Sequence, residues 1–258
     1  QLISIIIPVF NESESIVFLL DEIVSVMETN KFSFELIVVN DGSQDNTQRV
    51  LEELTLKIKE LSLICLRKNY GQTAAMAAGF DNSKGDIVLT LDGDLQNDPN
   101  DIPKLIAEIN LGYDLICGWR FDRKDKLLNR KIPSKIANKL IAKVTGLKLH
   151  DYGCSLKAFK KEIIDDIKLY GELHRFLPVL ANIEGARIKE IKVNHRSRKY
   201  GSSKYGIDRT FRVLMDLLTV WFMTKFLTRP MYGFGFVGII SILISLTMSS
   251  YLIVLKII

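Results

Sequence analysis

The sequence predicts an α/β fold, in which a mainly parallel sheet is flanked by helices and followed by interfacial helices and a transmembrane helix. In residues 1–120, short β-branched segments alternate with helix-length amphipathic segments, as in a three-layer α/β domain. Residues 231–255 contain no charged side chain. As a helix rising about 1.5 Å per residue, this stretch would cross the roughly 30 Å core of a bilayer. A buried hairpin helix is the alternative, although an apolar segment of this length has no evident partner to bury it.

Each predicted strand in the first half of the chain is a short apolar segment, which is typical of buried strands in parallel sheets. The predicted strands are residues 2–9, 34–39, 61–66, 87–91 and 114–117. Between them, apolar residues at helical spacing predict helices over 13–29, 45–60, 72–80 and 99–110. Asn11 or Ser13 is the expected N-cap of the first helix and Asp45 that of the second, because their side chains can accept a hydrogen bond from the first helical turn.

After Gly118 the regular alternation ends. The sequence then predicts helices over 132–144 and 173–183, a loop and strand over 151–159, an edge strand over 186–193 and a basic loop over 194–204. Residues 207–227 are strongly apolar with interspersed charges, and we interpret them as one or two helices lying in the plane of a membrane interface. A helix packed on the domain core is the alternative for this segment.

The chain carries a net charge of +5, and its excess basic residues gather in 120–148 and 189–229. A basic belt beside an apolar span indicates anionic lipid head groups or a phosphorylated substrate. We expect no nucleic-acid partner, because no helix-turn-helix, zinc or RNA-binding signature accompanies the charge. Lys225 and Arg229, just before the span, predict a cytoplasmic N-terminal body by the positive-inside rule. The three cysteines lack metal-ligand spacing and indicate free thiols in a reducing compartment.

Two carboxylates, Asp92 and Asp94, directly follow the fourth predicted strand. Carboxylates one residue apart form a compact set of oxygen ligands that suits a hard divalent cation, which can also hold phosphate oxygens. The strand end places them at the carboxyl edge of a parallel sheet, where open α/β folds bind ligands. An Asp-Gly-Asp sequence also suits an ordinary turn, so this segment alone leaves both interpretations open.

Further polar motifs stand at the ends of the other predicted strands. In chain order, the four motifs are Pro8-Val9-Phe10-Asn11-Glu12, Asn40-Asp41-Gly42-Ser43, Asn69-Tyr70-Gly71-Gln72 and Asp92-Gly93-Asp94-Leu95-Gln96. Together they resemble family 2 glycosyltransferases with the GT-A fold, and within that family the polyprenyl-phosphate glycosyltransferases related to dolichyl-phosphate mannose synthase. The resemblance covers residues 2–205. It implies a GT-A catalytic domain over 1–205, juxtamembrane interfacial helices over 206–229, and a transmembrane segment over 230–258. Further transmembrane spans after residue 258 are compatible with this organisation.

The resemblance implies how a nucleotide-sugar donor is held, by residues that line the base and ribose or that close over the diphosphate. These residues are Pro8, Phe10, Glu12, Asp41, Asp92, Arg196, Arg198 and Lys204. Asp41 is similar to a carboxylate that accepts a hydrogen bond from a base N–H, which favours a pyrimidine such as uracil; an ordinary Asp-Gly turn is the alternative. The resemblance makes Asp92, Asp94 and Gln96 a site for Mg²⁺ or Mn²⁺, with Asp94 and Gln96 as direct ligands. Asp92 could instead contact ribose or metal-bound water.

The resemblance also implies basic residues that hold the phosphate of a lipid acceptor, namely Arg120, Arg130, Lys131 and Lys157. Family members commonly have a Phe-Arg pair where this chain has Leu156-Lys157-Ala158-Phe159, and Lys157 could supply the missing charge. Asp151 lies where related transferases place an acidic residue near the acceptor. A sugar hydroxyl would need Asp151 as a general base, whereas a lipid phosphate, with a second pKa of about 6, is largely ionised at neutral pH. We therefore interpret Asp151 as a positioning residue and take Asp94, Asp151 and Arg120 as the catalytic candidates.

These observations predict an inverting, metal-dependent transfer of a hexose, with glucose favoured, from a UDP-sugar to polyprenyl phosphate at the cytoplasmic face of the cell membrane. Inversion is implied by the resemblance. The expected partners are the UDP-sugar, polyprenyl phosphate and the lipid bilayer, and a homo-oligomer formed through the apolar helices around 211–226 is a further hypothesis. Two alternatives stay open. One is a membrane-anchored family 2 transferase that acts on a sugar hydroxyl, and the other is a non-catalytic scaffold that binds a nucleotide sugar.

Overall fold

The computed structural model describes residues 1–122, 132–197, 208–226 and 230–257. The chain divides into two compact units, Gln1–Asp216 and Leu217–Ile258. The strands are β1 (Leu2–Val9), β2 (Ser33–Asn40), β3 (Leu61–Cys65), β4 (Ile87–Thr90), β5 (Leu115–Arg120), β6 (Lys157–Lys160) and β7 (Ile188–Val193). The helices are α1 (Ile16–Thr29), α2 (Thr47–Thr55), α3 (Gln72–Asn82), α4 (Ile102–Asn110), α5 (Ile132–Thr145), α6 (Lys161–Asp166), α7 (Leu177–Ile183), α8 (Asp208–Phe226) and α9 (Pro230–Ile257). Two 3₁₀ turns, Pro99–Asp101 and Leu173–Phe176, precede α4 and α7.

The first unit is built on one seven-stranded sheet in the order β3-β2-β1-β4-β6-β5-β7. Strands β1 to β4 pair in parallel, as do β5 and β7, so the predicted mainly parallel sheet is confirmed. β7 lies at one edge, as its alternating sequence predicts.

The sequence did not predict that β6 enters the middle of the sheet and runs antiparallel to both β4 and β5. Lys157 at the start of β6 pairs with Thr90 at the end of β4. Because the two strands run in opposite directions, the loop before β6 lies at the carboxyl edge of the sheet. The Thr90 hydroxyl donates a hydrogen bond to the Ser155 carbonyl at 2.7 Å, which holds this loop against the end of β4. This arrangement brings residues 151–155 to the edge where the strand-end motifs lie.

The sheet has a packed core on each face, because alternate residues of its central strands point in opposite directions. On one face, Ile3, Ile5 and Ile7 of β1 pack with α1, α2 and α4. On the other face, Ile6 of β1 packs with α3, α6 and α7. Burial on both faces explains why these strands are continuously apolar in the sequence.

Two glycines allow the strand-end loops to approach one another closely. Gly42 has φ +65°, and a Cβ there would lie 2.4 Å from the Lys68 carbonyl carbon, so the loop after β2 touches the loop after β3. A Cβ on Gly93 would lie 2.7 Å from Val9 Cγ1, so the loop after β4 touches the end of β1. The absence of a side chain at both positions therefore lets the motifs converge.

Gly42→Ala should lower the free energy of unfolding by about 3 kcal/mol, because it adds a backbone clash to the cost of a left-handed conformation. Gly171 is the matched control, since it has φ +58° and open space around its Cβ position. Gly171→Ala should cost only about 1 kcal/mol. Thermal or denaturant unfolding of the two variants measures the difference, and equal losses would contradict the close approach of the two loops.

The second unit contains α9 and the end of α8. Within it, the ring of Trp221 packs against that of Phe226, with centroids 5.4 Å apart. The ring of Phe222 packs against that of Phe234, with centroids 5.3 Å apart. Among the described residues, one helix is long and apolar enough to cross a membrane, Pro230–Lys256, with a mean hydropathy of 2.1. It coincides with the uncharged stretch from which the sequence predicts a transmembrane helix.

Candidate active site

The motifs after β1 and β2 form one connected structure at the carboxyl edge of the sheet. The Asp41 amide donates to the Val9 carbonyl at 2.9 Å, and the Asn11 amide donates to Ser43 Oγ at 2.9 Å. In return, Asn11 Oδ1 accepts from the Gln44 amide at 2.8 Å. Asn11 takes a left-handed conformation, φ +53°, which Asn tolerates better than most residues. The two loops are thereby held in a fixed relation to each other.

The residues predicted to line the base and ribose pocket lie in the first of these loops. Pro8, Phe10 and Glu12 are all half-buried. Glu12 is fixed on both sides, because its amide donates to Thr47 Oγ1 at 2.9 Å and its Oε2 accepts from Ser15 Oγ at 2.8 Å. The structure thus brings these residues together beside the 40–43 loop, and the contact with a nucleotide stays a prediction.

Asp41 is buried and links the second motif to the third. Its Oδ1 accepts from the Tyr70 amide at 2.7 Å, and its Oδ2 accepts from the Gly71 amide at 2.9 Å. Burial raises the pKa of Asp41, and the two amide hydrogen bonds offset part of that rise. Each carboxylate oxygen keeps a second lone pair, so the bonds to the 70–71 loop are compatible with an additional contact to a base N–H.

The Asp92–Gln96 segment forms a tight turn directly after β4. Asp94 Oδ1 accepts from the Gln96 amide at 3.1 Å, and Leu95 takes φ +60°. Gln72 Nε2, at the start of α3, donates to Asp92 Oδ1 at 2.7 Å. The turn interpretation of this segment is therefore correct as local structure, and it is the turn that places Asp92 and Asp94 at the edge of the sheet.

This donor set fits a divalent cation shared with a substrate. Within the described part of the chain, no group of three His, Cys, Asp or Glu residues could hold a metal by themselves. Mg²⁺ is commonly bound through one or two carboxylates together with substrate phosphate oxygens, which is what Asp92 and Asp94 offer. The predicted third ligand, Gln96, directs its Nε2 toward the Arg196 carbonyl at 3.4 Å. This orientation is compatible with a metal contact by its amide oxygen, and that contact stays a prediction.

Arg120 and Asp151 form a bidentate ion pair beside this turn. Arg120 Nε lies 2.7 Å from Asp151 Oδ2, and Arg120 Nη2 lies 2.9 Å from Asp151 Oδ1. Asp151 Oδ1 also accepts from the Gly153 amide at 3.1 Å. Burial lowers the pKa of Arg120, but the hydrogen bonds and charge of Asp151, together with the charge of Asp92, outweigh it and hold that pKa above its usual value. Both oxygens of the Asp151 carboxylate are engaged by Arg120, which favours positioning over general-base catalysis for Asp151.

Lys157 takes a different position from the one the sequence suggests. Its side chain is buried, and Nζ donates to the Cys154 carbonyl and, at 3.5 Å, to the Tyr152 carbonyl. The ammonium thus supports the 152–154 loop from inside. Because the side chain is buried and its ammonium is directed at these two carbonyls, the structure does not present Lys157 at the surface where an acceptor phosphate would bind.

Arg196 is likewise engaged in contacts that the sequence does not predict. Its Nη1 lies 2.6 Å from Glu22 Oε2 of α1, and its Nη2 lies 2.8 Å from Asp98 Oδ1. Its amide also donates to the Gln96 carbonyl at 2.9 Å. The structure therefore ties Arg196 to the turn through its backbone while its guanidinium pairs with α1. The remaining predicted phosphate contacts, Arg130, Lys131, Arg198 and Lys204, lie outside the described residues.

Glu190 was not identified from the sequence, and Gln72 was identified as part of the third motif but without its contact to Asp92. Glu190 of β7 accepts hydrogen bonds from residues 150 and 151, about 40 positions earlier in the chain. Glu190 lies in a strand of alternating polar and apolar residues, where it looks like an ordinary solvent-facing residue. Gln72 reaches Asp92 across two loops. The sequence carries no local signal for either contact, because both depend on how distant strands pair.

Comparisons with known proteins agree with this architecture. The family described as Glycosyl transferase family 2 matches residues 4–168. A dodecaprenyl-phosphate galacturonate synthase of Rhizobium johnstonii is 47% identical over 246 residues, which span 92% of this chain and 71% of the relative. An undecaprenyl-phosphate 4-deoxy-4-formamido-L-arabinose transferase of Proteus mirabilis is 39% identical over 257 residues, 99% of this chain and 77% of the relative.

Among solved structures, the glucosyl-3-phosphoglycerate synthase of Mycobacterium tuberculosis in complex with Mn²⁺ and UDP-glucose has a similar fold. Its TM-score is 0.65 at 17% identity, over 87% of this chain and 79% of that chain. At this level of identity the likeness concerns the fold alone.

Proposed function

Because the chain belongs to glycosyl transferase family 2, we propose that it transfers a sugar from a UDP-sugar to a polyprenyl phosphate. The observation that carries the proposal is the Arg120–Asp151 ion pair at one edge of the sheet. The pair lies close enough to Asp92 for the charge of that carboxylate to raise the pKa of Arg120. A cation-binding turn and a fixed guanidinium side by side suit a reaction between two phosphorylated substrates. The two relatives support the acceptor class, since both are named for transfer to a polyprenyl phosphate.

The donor would lie against the loops after β1, β2 and β4. Pro8, Phe10, Glu12 and Asp41 would hold the base and ribose, and Asp92, Asp94 and Gln96 would hold the divalent cation. When bound, Mg²⁺ or Mn²⁺ neutralises charge on the diphosphate leaving group. Asp41 and Glu12 are already held in place by the hydrogen bonds described above. Binding of the donor would therefore cost little side-chain conformational entropy at these two residues.

Arg120 would orient the acceptor phosphate toward the anomeric carbon. One acceptor phosphate oxygen forms a bond to that carbon as the bond between the carbon and the β-phosphate oxygen breaks, and UDP leaves. Attack from the side opposite the diphosphate inverts the anomeric centre. A phosphate ionised at neutral pH supplies its own nucleophilic oxygen, so no residue has to remove a proton. Asp151 then acts by holding the guanidinium of Arg120 in place.

For the donor sugar, we favour a hexose derivative of the galacturonate type over the glucose that the sequence alone suggests. The support is the 47% identity with a galacturonate synthase. UDP-galacturonate differs from UDP-glucose by a carboxylate at C6 and by the configuration at C4, so the two donors can be compared directly in one assay.

The proposal predicts metal-dependent transfer by the purified full chain in detergent. Radiolabelled UDP-galacturonate or UDP-glucose is incubated with polyprenyl phosphate and Mg²⁺ or Mn²⁺, and label is counted in the organic phase. We expect label to appear there, to be abolished by a chelator and to return when metal is restored. Polyprenol without phosphate is the matched control and should stay unlabelled. A protein that still binds UDP yet labels no polyprenyl phosphate with either sugar would contradict the proposal.

Asp151→Asn should keep transfer within about tenfold of the parent, because a phosphate acceptor needs no general base. The asparagine can still accept one hydrogen bond from Arg120, so part of the guanidinium orientation survives. If Asp151 instead activates a sugar hydroxyl, the same change should cost about 10²–10⁴-fold. Asp81→Asn, at an exposed position of α3, controls for loss of a carboxylate away from the site, and initial rates of product formation distinguish the two cases.

We further propose that α9 anchors the protein in the cell membrane, with residues 1–205 as a cytoplasmic catalytic domain and 206–229 as juxtamembrane helices. Lys225 and the Arg229 position flank the start of the apolar helix, which supports this orientation. A membrane anchor keeps the site close to an acceptor whose isoprenoid chain stays in the bilayer, so only its phosphate has to reach Arg120.

A further inference from the structure

Glu190 of β7 holds the segment that carries Asp151. Its Oε1 accepts from the Asp151 amide at 2.8 Å and from the His150 amide at 2.9 Å. Its Oε2 lies 2.7 Å from His150 Nδ1. The Glu190 side chain is only 10% exposed, whereas that of His150 is 66% exposed. The bond to the Asp151 amide is therefore the most sheltered of the three, and a sheltered hydrogen bond is stronger than one in water.

The same segment is held from its other side by Trp119. The His150 imidazole stacks on the Trp119 ring, with centroids 4.1 Å apart and planes 15° from parallel. Trp119 directly precedes Arg120 in β5, and β5 pairs in register with β7. His150 is thus fixed between a strand residue of β5 and a carboxylate of β7. This leaves the following residue, Asp151, little freedom to move relative to either strand.

The bonds from Glu190 continue into the site through Asp151. The Asp151 amide is bound to Glu190, while the Asp151 carboxylate binds the guanidinium of Arg120. A shift of the Asp151 backbone would therefore move the guanidinium that is proposed to bind the acceptor phosphate. By contrast, the loops on the donor side are joined by bonds among themselves, such as those from Asp41 to residues 70 and 71.

We propose that Glu190 is a positioning residue for the acceptor phosphate, which acts through Asp151 on the orientation of Arg120. This inference rests on the proposed function, because it assigns a role within the same site. Glu190 makes no contact with the substrates in this account. Its removal should weaken the use of polyprenyl phosphate and leave the use of the UDP-sugar unchanged.

Glu190→Ala in the full chain should raise the KM for polyprenyl phosphate by about tenfold, since two amide hydrogen bonds are lost. The KM for the UDP-sugar and the Kd for UDP should stay within about twofold of the parent. Glu190→Gln retains one carbonyl oxygen that can accept from both amides, so it should restore the acceptor KM to within about threefold.

Glu108→Ala is the matched control. Glu108 of α4 forms an ion pair at 2.6 Å with Lys189, the neighbour of Glu190 in β7. Its removal therefore deletes an ion pair of β7 and leaves the contacts of residues 150 and 151 in place. We expect the acceptor KM of this variant to equal that of the parent. An acceptor KM for Glu190→Ala that is no higher than that for Glu108→Ala would overturn the inference, as would an equal rise of the donor and acceptor KM values.

If Glu190→Ala no longer binds UDP, Glu190→Asp decides the question, because it keeps the charge and withdraws the carboxylate from the two amides. It should raise the acceptor KM by about fivefold at unchanged donor KM, and no change in either would overturn the inference. A parent protein that does not glycosylate polyprenyl phosphate at all would refute the proposed function. A parent that does so with the same acceptor KM as the Glu190 variants would refute only the role of Glu190.

Discussion

Asp94→Asn should reduce sugar transfer by about a thousandfold and leave the fold intact. Asparagine keeps the oxygen that accepts the Gln96 amide at 3.1 Å, so the turn after β4 can still form. The substitution removes the negative charge that a hard divalent cation needs from its ligands, so the cation binds less well. Without the cation, the charge that develops on the leaving diphosphate is no longer neutralised. Initial rates of lipid-linked product at saturating Mg²⁺ or Mn²⁺ measure this effect.

Two further observations make this test specific. Asp81→Asn, which removes an exposed carboxylate of α3, should transfer sugar at the parent rate. The Asp94→Asn protein should also lose the part of its UDP affinity that depends on metal, while the thermal unfolding midpoint stays near that of the parent. Transfer by Asp94→Asn within tenfold of the parent would argue against Asp94 as a metal ligand. An unchanged cellular function in this variant would favour the non-catalytic scaffold.

Arg120→Ala should abolish measurable transfer and also destabilise the protein. The change removes the cation proposed to orient the acceptor phosphate. It also leaves the Asp151 carboxylate, whose side chain is 4% exposed, buried without the guanidinium that compensates its charge. Breaking one half of a buried ion pair costs about 3–5 kcal/mol of folding free energy. The free energy of unfolding and the transfer rate are therefore both expected to fall.

The double variant Arg120→Ala with Asp151→Asn separates the two effects. Neutralising position 151 should recover most of the lost stability, because no uncompensated charge is left buried. Transfer should stay abolished, because the guanidinium that binds phosphate in a bidentate manner is still absent. Recovery of activity together with stability would show that Arg120 serves only to neutralise Asp151, and it would contradict a role for Arg120 toward the acceptor.

The first half of the fold was predictable because its central strands β1, β2 and β4 are largely buried on both faces, while the partly exposed edge strand β3 is still mostly apolar. Burial of that kind requires continuous apolar segments, and β1 to β4 can be recognised from them to within a residue or two. The motifs that follow these strands could be placed together for the same reason, since parallel strands end at the same edge. Their glycines and the left-handed Asn11 agree with the close packing that the structure shows.

The position of β6 could not be predicted, because Lys157-Ala158-Phe159-Lys160 is short and carries two charges. What places it is its pairing with β4 and β5, which no local pattern encodes. The Arg120–Asp151 and Glu190–Asp151 contacts depend on that pairing, since β6 brings the preceding loop to the sheet edge.

The sequence also shows the charge of a side chain but not where its end group lies. Lys157 is equally basic whether its ammonium faces a ligand or, as the structure shows, the carbonyls of its own loop. Arg196 pairs with Glu22, a partner 174 positions away, for which the sequence gives no indication. The sequence therefore identifies these charged residues but not the partners of their end groups.

The mass of the lipid product, measured together with the nucleotide released, shows which group is transferred and to which acceptor. Transfer of a sugar to polyprenyl phosphate predicts a product with a single phosphate between sugar and lipid, and it predicts one UDP released for each product formed. A product with two phosphates and release of UMP would show that a phosphosugar is transferred instead. Sugar found only on a hydroxyl acceptor would return Asp151 to the role of general base and contradict the account.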